Sequence, residues 1–125
     1  TPKLIFLGEI VKRYNTDYRY NDDSAIVYKA QEGLVIITGC SHSGIRNIIE
    51  HAKYVTKDNR IHALIGGLHL YNKTEYKIRE IGIYLRELNI QHFYPCHCCN
   101  LNSKIILSEY LKVNDVYSGL ELTFN

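Results

Sequence analysis

The chain has 125 residues and a formal net charge of +2, which is enough length for one domain, residues 1–125, and too little charge to indicate nucleic-acid binding. No apolar stretch approaches the ~18 residues that a membrane span requires, so a membrane protein is also excluded. Three of the four cysteines, Cys96, Cys98 and Cys99, lie too close together for unstrained disulfides among themselves. This spacing favours free thiols in a reducing cytoplasm.

The first third of the chain is typical of strands and a loop. Residues 3–11 are rich in Ile, Leu and Phe and predict a strand, and the polar, tyrosine-rich residues 14–23 predict a loop. Two β-branched runs, 24–30 and 34–38, are separated by Gln-Glu-Gly, which predicts a hairpin with a three-residue turn. The continuous apolar run 34–37 predicts a strand that is covered on both faces.

Beyond residue 44 the apolar period changes to that of a helix. Ile45, Ile48, Ile49, Ala52 and Val55 fall on one helical face, whereas His51 lies off this stripe and is expected to be solvated. The remaining predicted elements are a strand at 61–65, a helix capped by Asn72 with Glu75 and ending near 88, a strand at 91–94, a helix at 103–112 and a strand at 116–124. Strands that alternate with helices indicate an α/β fold.

Residues 39–44, Gly-Cys-Ser-His-Ser-Gly, join a buried strand to an amphipathic helix. Cys40 and His42 lie two residues apart in this turn, so a thiolate and an imidazole can approach one metal ion. A plain strand-to-helix turn with a capping serine explains the segment equally well. A nucleophile elbow at Ser41 is disfavoured, because Ser43 occupies the place of the final glycine in the G-x-S-x-G pattern.

Two further segments place a histidine just after a predicted strand. His69 follows Gly66-Gly67, where the absence of side chains permits close approach by a ligand or metal, although a structural histidine is the alternative. His97 lies in Tyr-Pro-Cys-His-Cys-Cys, residues 94–99. An extended backbone would put Cys96 and Cys98 on one side and His97 with Cys99 on the other. His97 is therefore the expected ligand, and the cysteines are expected to line the turn.

Taken together, these segments resemble the C-terminal half of a metallo-β-lactamase-superfamily hydrolase, in the subgroup that includes the dihydropterin ribofuranosylaminobenzene phosphate synthases. The resemblance covers nearly the whole chain, from Gly8-Glu9-Ile10 and Asp22-Asp23-Ser24-Ala25 through residues 34–44, 65–70 and 94–98. It implies half of an αββα sandwich, which is a mixed sheet with helices on one face. It also implies zinc, or iron or manganese, as one or two ions.

The resemblance assigns roles to four residues. His97 matches the last metal histidine, His42 looks like a further ligand, and Cys40 occupies the place where many relatives carry a bridging aspartate. His69 is either a ligand or a catalytic residue that contacts and orients the substrate. The resemblance thus implies metal-dependent hydrolysis of a phosphate ester or a pterin-related small molecule.

The first metal-binding motif of that superfamily, H-x-H-x-D-H, does not occur in this chain. Half a sandwich would leave an apolar sheet face exposed, so a partner is expected, either the N-terminal half of the fold or a second copy of the chain. The missing motif leaves enzymatic activity open. The alternatives are a catalytically inactive half-domain that binds metal or a partner, and a structural zinc module built on Cys96, Cys98 and Cys99.

Overall fold

The computed structural model describes residues 2–125, which form one five-stranded sheet and three helices. The strands lie side by side in chain order. In order along the chain the elements are β1 Leu4–Phe6, β2 Ala25–Ala30, β3 Gly33–Thr38, α1 Ile45–Thr56, β4 Ile61–Gly66, α2 Glu75–Glu87, β5 His92–Pro95 and α3 Leu101–Leu107. β1, β2 and β3 pair antiparallel, and β3, β4 and β5 pair parallel. This mixed sheet confirms the predicted α/β fold.

The β2–β3 hairpin is tighter than predicted. Ala30 pairs with Gly33, so only Gln31 and Glu32 remain in the turn. Gly33 has φ 141°, and a Cβ atom there would lie 2.7 Å from the backbone oxygen of Arg60. The glycine is therefore the first residue of β3 rather than the last residue of the turn, since only a residue without a side chain fits against Arg60.

The central strand β3 is covered on both faces along only part of its length. Leu34, Val35 and Ile36 are at most 2% exposed, whereas Ile37 is 41% exposed. The prediction of a strand buried on both faces is thus correct for three residues and wrong for Ile37. The second face of the sheet is covered only at the end where β3 begins.

The C-terminal segment covers that end of the sheet without forming the predicted strand at 116–124. The N–H of Gln31 donates to the Asn125 oxygen at 2.6 Å. The ring of Phe124 packs edge-on against His62 and His92, with centroids 5.8 and 5.7 Å apart. The segment is therefore attached through aromatic contacts and through hydrogen bonds near its two ends, at Asn114 and Asn125, instead of a ladder. Residues 113–125 contain no strand.

Helix α1 buries four residues of the predicted stripe, since Ile45, Ile48, Ile49 and Ala52 are at most 1% exposed. The prediction is wrong for Val55, which lies in the last turn of α1 and is 41% exposed. The expectation that His51 is solvated is wrong. His51 is 7% exposed, and its Nε2 atom lies 3.4 Å from the Leu7 oxygen. The loop after β1 lies over this side of α1 and buries a position that the helical pattern alone assigns to solvent.

Three other element boundaries differ from the prediction for local reasons. β1 ends at Phe6 instead of residue 11. The cap of α2 is Thr74, whose hydroxyl accepts from the Lys77 N–H at 3.3 Å, whereas Asn72 has φ 61°. α3 begins at Leu101 because the Asn100 side chain accepts from the Ser103 N–H at 2.9 Å. None of the helices formed by residues 2–125 has the length and apolar character needed to cross a membrane.

The helices pack on one face of the sheet, and part of the other face is bare and apolar. Phe6, Ile26, Ile37, Ile65 and Tyr94 are successive cross-strand partners in all five strands, so their side chains share one face. Phe6 is 71% exposed, Ile26 39% and Ile37 41%. We call this row of five residues the open face. The expectation of an exposed apolar face is confirmed.

Candidate metal centre

The segments that follow β3, β4 and β5 meet at one edge of the sheet, because the carboxyl ends of parallel strands lie together. The Gly67 N–H donates to the Gly39 oxygen at 2.8 Å, and the Cys96 N–H donates to the Gly66 oxygen at 3.0 Å. The Thr38 hydroxyl donates to the Gly67 oxygen at 3.0 Å. These hydrogen bonds tie the three predicted segments into one layer of loops.

Gly67 is a point of close approach in this layer. A Cβ atom on Gly67 would lie 2.5 Å from the Gly39 oxygen and 2.8 Å from the Cys98 sulfur. Only glycine fits at this distance. The close approach of a ligand or metal to the tandem glycine stays a prediction. What approaches Gly67 within the chain is the backbone of Gly39 and the thiol of Cys98.

Two sulfurs and an imidazole converge beside Gly67. Cys40 Sγ, His97 and Cys98 Sγ offer ligand atoms that all lie within 4.8 Å of one another. Cys40 Sγ is 2.9 Å from His97 Nε2. The Cys98 thiol donates to the Cys40 oxygen at 3.2 Å, and its sulfur accepts the His69 N–H at 3.0 Å. We call Cys40, His97 and Cys98 the thiol–imidazole cluster; it is the only such group of three or more among residues 2–125.

The structure brings together two of the predicted metal residues, Cys40 and His97, and adds Cys98. Alternation along an extended segment places His97 and Cys98 on opposite sides, but His97 has φ 56°, which lies in the left-handed region and breaks that alternation. Cys99 is 5% exposed, and burial raises the pKa of its thiol to about 12. The sequence does not predict Cys98 as a member of this group, because no sequence pattern indicates a left-handed backbone conformation at His97.

His42 and His69 lie next to each other and outside the thiol–imidazole cluster. Their ring centroids are 4.8 Å apart in an edge-to-face arrangement, and His42 Nδ1 lies 3.3 Å from the Tyr18 hydroxyl. A hydrogen bond to Asp22 raises the pKa of the Tyr18 hydroxyl to about 12. The ligand role of His42 and the catalytic role of His69 stay predictions.

Asp23 fixes the turn that carries Cys40 and His42. Its carboxylate accepts from the Ser43 N–H at 3.0 Å and also from the Ser43 hydroxyl. Its observed contacts are those of a turn residue, and its charge acts on the thiol of Cys40 and the ring of His69.

Burial and neighbouring charges shift the titration of two groups at this edge. Burial raises the pKa of the Cys40 thiol, and the nearby Cys98 thiol raises it further. Burial lowers the pKa of His69, and the neighbouring His42 and Lys73 lower it further. Both shifts favour the uncharged form of the group.

The chemistry of the thiol–imidazole cluster fits a zinc-like ion. Thiolate and imidazole are the ligands that Zn²⁺ prefers, and soft sulfur donors disfavour Mg²⁺ and Ca²⁺. Three protein ligands leave a fourth position for water or substrate, which is typical of catalytic rather than structural zinc sites. His97 is exposed, so the cluster is accessible from solvent.

A cavity of about 610 Å³ adjoins the cluster on the side of His42 and His69. Both histidines line it, and the first turn of α1 and the segment that opens α2 form further walls. Its other charged and aromatic lining residues are Tyr14, Asp17, Arg46, Lys73, Lys77, Glu80 and Tyr84. The cavity is large enough to hold a small molecule against the two histidines.

Comparison with solved structures shows the same fold in a metal-dependent hydrolase. Tm1679, described as a metal-dependent hydrolase of the β-lactamase superfamily, matches 98% of this chain with a TM-score of 0.88 and 29% identity, and this chain covers 54% of it. The chain thus has the fold of about half of such a hydrolase. The resemblance to the metallo-β-lactamase superfamily is confirmed.

Two proteins of Methanocaldococcus jannaschii are similar in sequence. A 7,8-dihydropterin-6-methyl-4-(β-D-ribofuranosyl)-aminobenzene-5'-phosphate synthase is 26% identical over 91 residues, which are 73% of this chain and 31% of the synthase. The uncharacterized protein MJ0448 is 34% identical over 91 residues, which are 71% of this chain and 32% of that protein. The chain therefore spans about a third of the length of these relatives. No protein-family model matches the chain.

Proposed function

We propose that this chain supplies half of the active site of a metal-dependent hydrolase-like enzyme and binds a zinc-like ion through Cys40, His97 and Cys98. The observation that carries the proposal is the convergence of these three ligand atoms within 4.8 Å at the carboxyl edge of a hydrolase fold. The substrate class we propose is a phosphate ester or a pterin-related small molecule. The similarity to a synthase whose name contains both a pterin and a phosphate supports this class.

In this proposal the thiol–imidazole cluster holds the ion and His69 orients the substrate. A bound zinc-like ion lowers the pKa of a coordinated water toward ~7 and makes it a nucleophile at neutral pH. The His69 N–H holds the Cys98 sulfur in place at 3.0 Å. The His69 ring lines the neighbouring cavity beside His42, where it can hydrogen-bond to a bound substrate.

The occupant that we propose for the open face is the N-terminal half of the same fold. The exposed side chains of Phe6, Ile26 and Ile37 form a contiguous apolar row that a stable protein covers. This chain matches 54% of Tm1679. We expect a counterpart of the remaining part of Tm1679 to pack on the open face of this chain. The H-x-H-x-D-H motif, which does not occur in this chain, would come from the same half.

The open face can be tested with an apolar dye. We expect the isolated chain to bind the dye, Phe6→Lys to reduce binding strongly, and Tyr117→Lys to leave it unchanged. Both side chains are more than 60% exposed, but only Phe6 lies in the cross-strand row. A 14.5 kDa monomer that binds no dye contradicts the proposal. A stable dimer that excludes the dye favours a second copy as the occupant.

The metal proposal is tested by elemental analysis of protein purified without added metal. We expect about one ion per chain, loss of the ion in His97→Ala, and retention in the matched variant His92→Ala, since His92 begins β5 and lies away from the cluster. A metal-free wild-type chain that also fails to take up added Zn²⁺ contradicts the proposal. Hydrolysis of bis(4-nitrophenyl) phosphate that is lost on chelation would establish an enzyme.

The second candidate is a catalytically inactive half-domain that binds metal or a partner, and the open face favours it. Such a protein would bind metal and its partner without hydrolysing the phosphodiester. A structural zinc module is distinguished by chelation, because removal of a structural metal unfolds the chain. The catalytic proposal predicts a fold that survives chelation, which circular dichroism measures directly.

A further inference from the structure

The loop that joins β1 to β2 places the side chain of Tyr18 against His42. The centroids of the two rings are 5.0 Å apart, and the His42 Nδ1 atom lies 3.3 Å from the Tyr18 hydroxyl oxygen. Within residues 2–125 the His42 ring makes no other hydrogen bond. One nitrogen of His42 therefore faces a polar partner, whereas Nε2 has none in this part of the chain.

The proton of the Tyr18 hydroxyl is already engaged elsewhere. Tyr18 donates a hydrogen bond to the Oδ1 atom of Asp22, and this bond raises the pKa of Tyr18 to about 12 and lowers the pKa of the Asp22 carboxyl group. A carboxylate only accepts hydrogen bonds, and a phenol has a single proton to donate. The Tyr18 oxygen can therefore only accept from His42, which requires the His42 proton to be on Nδ1. A neutral imidazole with its proton on Nδ1 has an unprotonated Nε2.

Lys12 organises the loop that carries Tyr18. Its ammonium group donates to the backbone oxygen of Tyr18 at 3.1 Å, to the Asn21 side chain at 3.2 Å and also to the backbone oxygen of Tyr20. The same ammonium group lies 5.2 Å from the centroid of the Tyr18 ring. These contacts do not involve His42, so the loop itself positions the Tyr18 hydroxyl.

His42 lines the cavity of about 610 Å³, whereas Tyr18 does not, so Tyr18 can act on a bound molecule only through His42. We propose that Tyr18 is a positioning residue, which keeps the proton of the His42 ring on Nδ1 and leaves Nε2 free to accept a hydrogen bond from a molecule in the cavity. This role deepens the proposed function and rests on it for the identity of the cavity as the substrate site. Histidine ligands of metal ions are commonly oriented in the same way, through a hydrogen bond from the other ring nitrogen.

The test is ¹⁵N nuclear magnetic resonance of the chain labelled at its histidine side chains, because protonated and unprotonated ring nitrogens have well separated resonances. We expect His42, assigned by the signals missing from His42→Gln, to have a protonated Nδ1 and an unprotonated Nε2 at about pH 8, where imidazole is ordinarily neutral. In an unconstrained histidine side chain the proton favours Nε2, so the expected form is diagnostic. The spectrum is recorded on the chain as purified and again after chelation, since a metal ion on Nε2 would by itself leave the proton on Nδ1. A proton on Nε2 in the chelated wild-type chain overturns the proposal.

Tyr18→Phe removes the hydroxyl and keeps the ring that packs on His42. We expect the His42 proton to lie predominantly on Nε2 in this variant. Tyr20→Phe is the matched control and should keep the wild-type tautomer, because Tyr20 lies in the same loop and is 71% exposed, but only the Tyr18 hydroxyl lies within hydrogen-bond distance of His42. Circular dichroism checks the folding of each variant. If Tyr18→Phe is folded and keeps the His42 proton on Nδ1, the hydroxyl does not set the tautomer and the proposal is wrong.

Asp22→Ala is a second variant, which retains the Tyr18 hydroxyl and removes the group that takes its proton. Tyr18 can then donate to His42 Nδ1, so we expect a larger fraction of His42 with its proton on Nε2 than in the wild-type chain. An unchanged fraction in Asp22→Ala contradicts the role of Tyr18.

The role of Tyr18 and the proposed function fail separately. A chain with the His42 proton on Nδ1 that takes up no Zn²⁺ contradicts the metal proposal and leaves the role of Tyr18 intact. A chain that binds the ion through the thiol–imidazole cluster but has the His42 proton on Nε2 contradicts only the role of Tyr18. In an active chain, Tyr18→Phe should lower kcat by about ten-fold or more, as the loss of an orienting partner does, while Tyr20→Phe leaves kcat unchanged. Equal kcat values for these two variants count against the role of Tyr18.

Discussion

Replacement of Gly67 by alanine is expected to weaken folding and metal binding together. The new Cβ atom would lie 2.5 Å from the Gly39 oxygen, 2.8 Å from the Cys98 sulfur and 3.3 Å from the Cys40 Cα. The nearest of these atoms is backbone, which cannot rotate away as the end of a side chain does. The loop that carries Cys98 must therefore shift relative to the loop that carries Cys40.

The size of the effect follows from two contributions. Overpacking of a tight site costs about 1–3 kcal/mol. The shift also strains the hydrogen bond from the Gly67 N–H to the Gly39 oxygen, 2.8 Å long, and such a bond contributes about 1 kcal/mol. The free energy of unfolding should fall by roughly 2–4 kcal/mol, which corresponds to a Tm lower by about 10 °C in a domain of this size.

Gly39→Ala is the matched control, because a Cβ atom at Gly39 meets no heavy atom within 4 Å and its φ is not positive. Calorimetry gives Tm, and elemental analysis gives the metal content of each variant. We expect Gly39→Ala to resemble the wild type in both measurements. If Gly67→Ala retains the wild-type Tm and metal content, the close packing of Gly67 against Cys98 does not position the cluster and the reasoning is refuted.

Two further outcomes are expected. Cys98→Ser should lose bound metal while Cys96→Ser retains it, since only Cys98 belongs to the thiol–imidazole cluster; equal metal content in both variants would count against Cys98 as a ligand. Burial opposes ionisation of Glu50, but hydrogen bonds from Lys53 at 2.9 Å and Tyr84 at 2.7 Å outweigh it and lower the pKa of the carboxyl group. The stabilisation is present above the unfolded pKa near 4.5 and is lost as the pH falls through the lower folded value. Urea unfolding between about pH 3 and 6 should therefore show a smaller decrease of stability on acidification for Glu50→Gln than for the wild type; an identical decrease would contradict this assignment.

Periodicity and turn chemistry account for most of the fold. Apolar residues at helical spacing from Ile45 to Ala52 predict α1, and β-branched runs around a short turn predict the β2–β3 hairpin. These patterns are local, because each records which side of one element faces the core. The predictions are wrong where a segment distant in the chain determines which residues are buried. His51 is an example, because the loop after β1 buries it.

The same distinction, between what local patterns predict and what distant segments determine, applies to the candidate site. The sequence by itself indicates that Cys40 and His97 each follow a strand of an α/β fold. In the structure these strands, β3 and β5, run parallel on either side of β4, so both residues lie at one edge of the sheet. Only the tertiary structure decides that Cys98 joins them while His42 turns toward His69. The direction of each side chain depends on single backbone angles, such as φ 56° at His97, and on contacts between loops distant in the chain. No periodic pattern of residues records either quantity, so the ligand set emerges only when the loops are packed against one another.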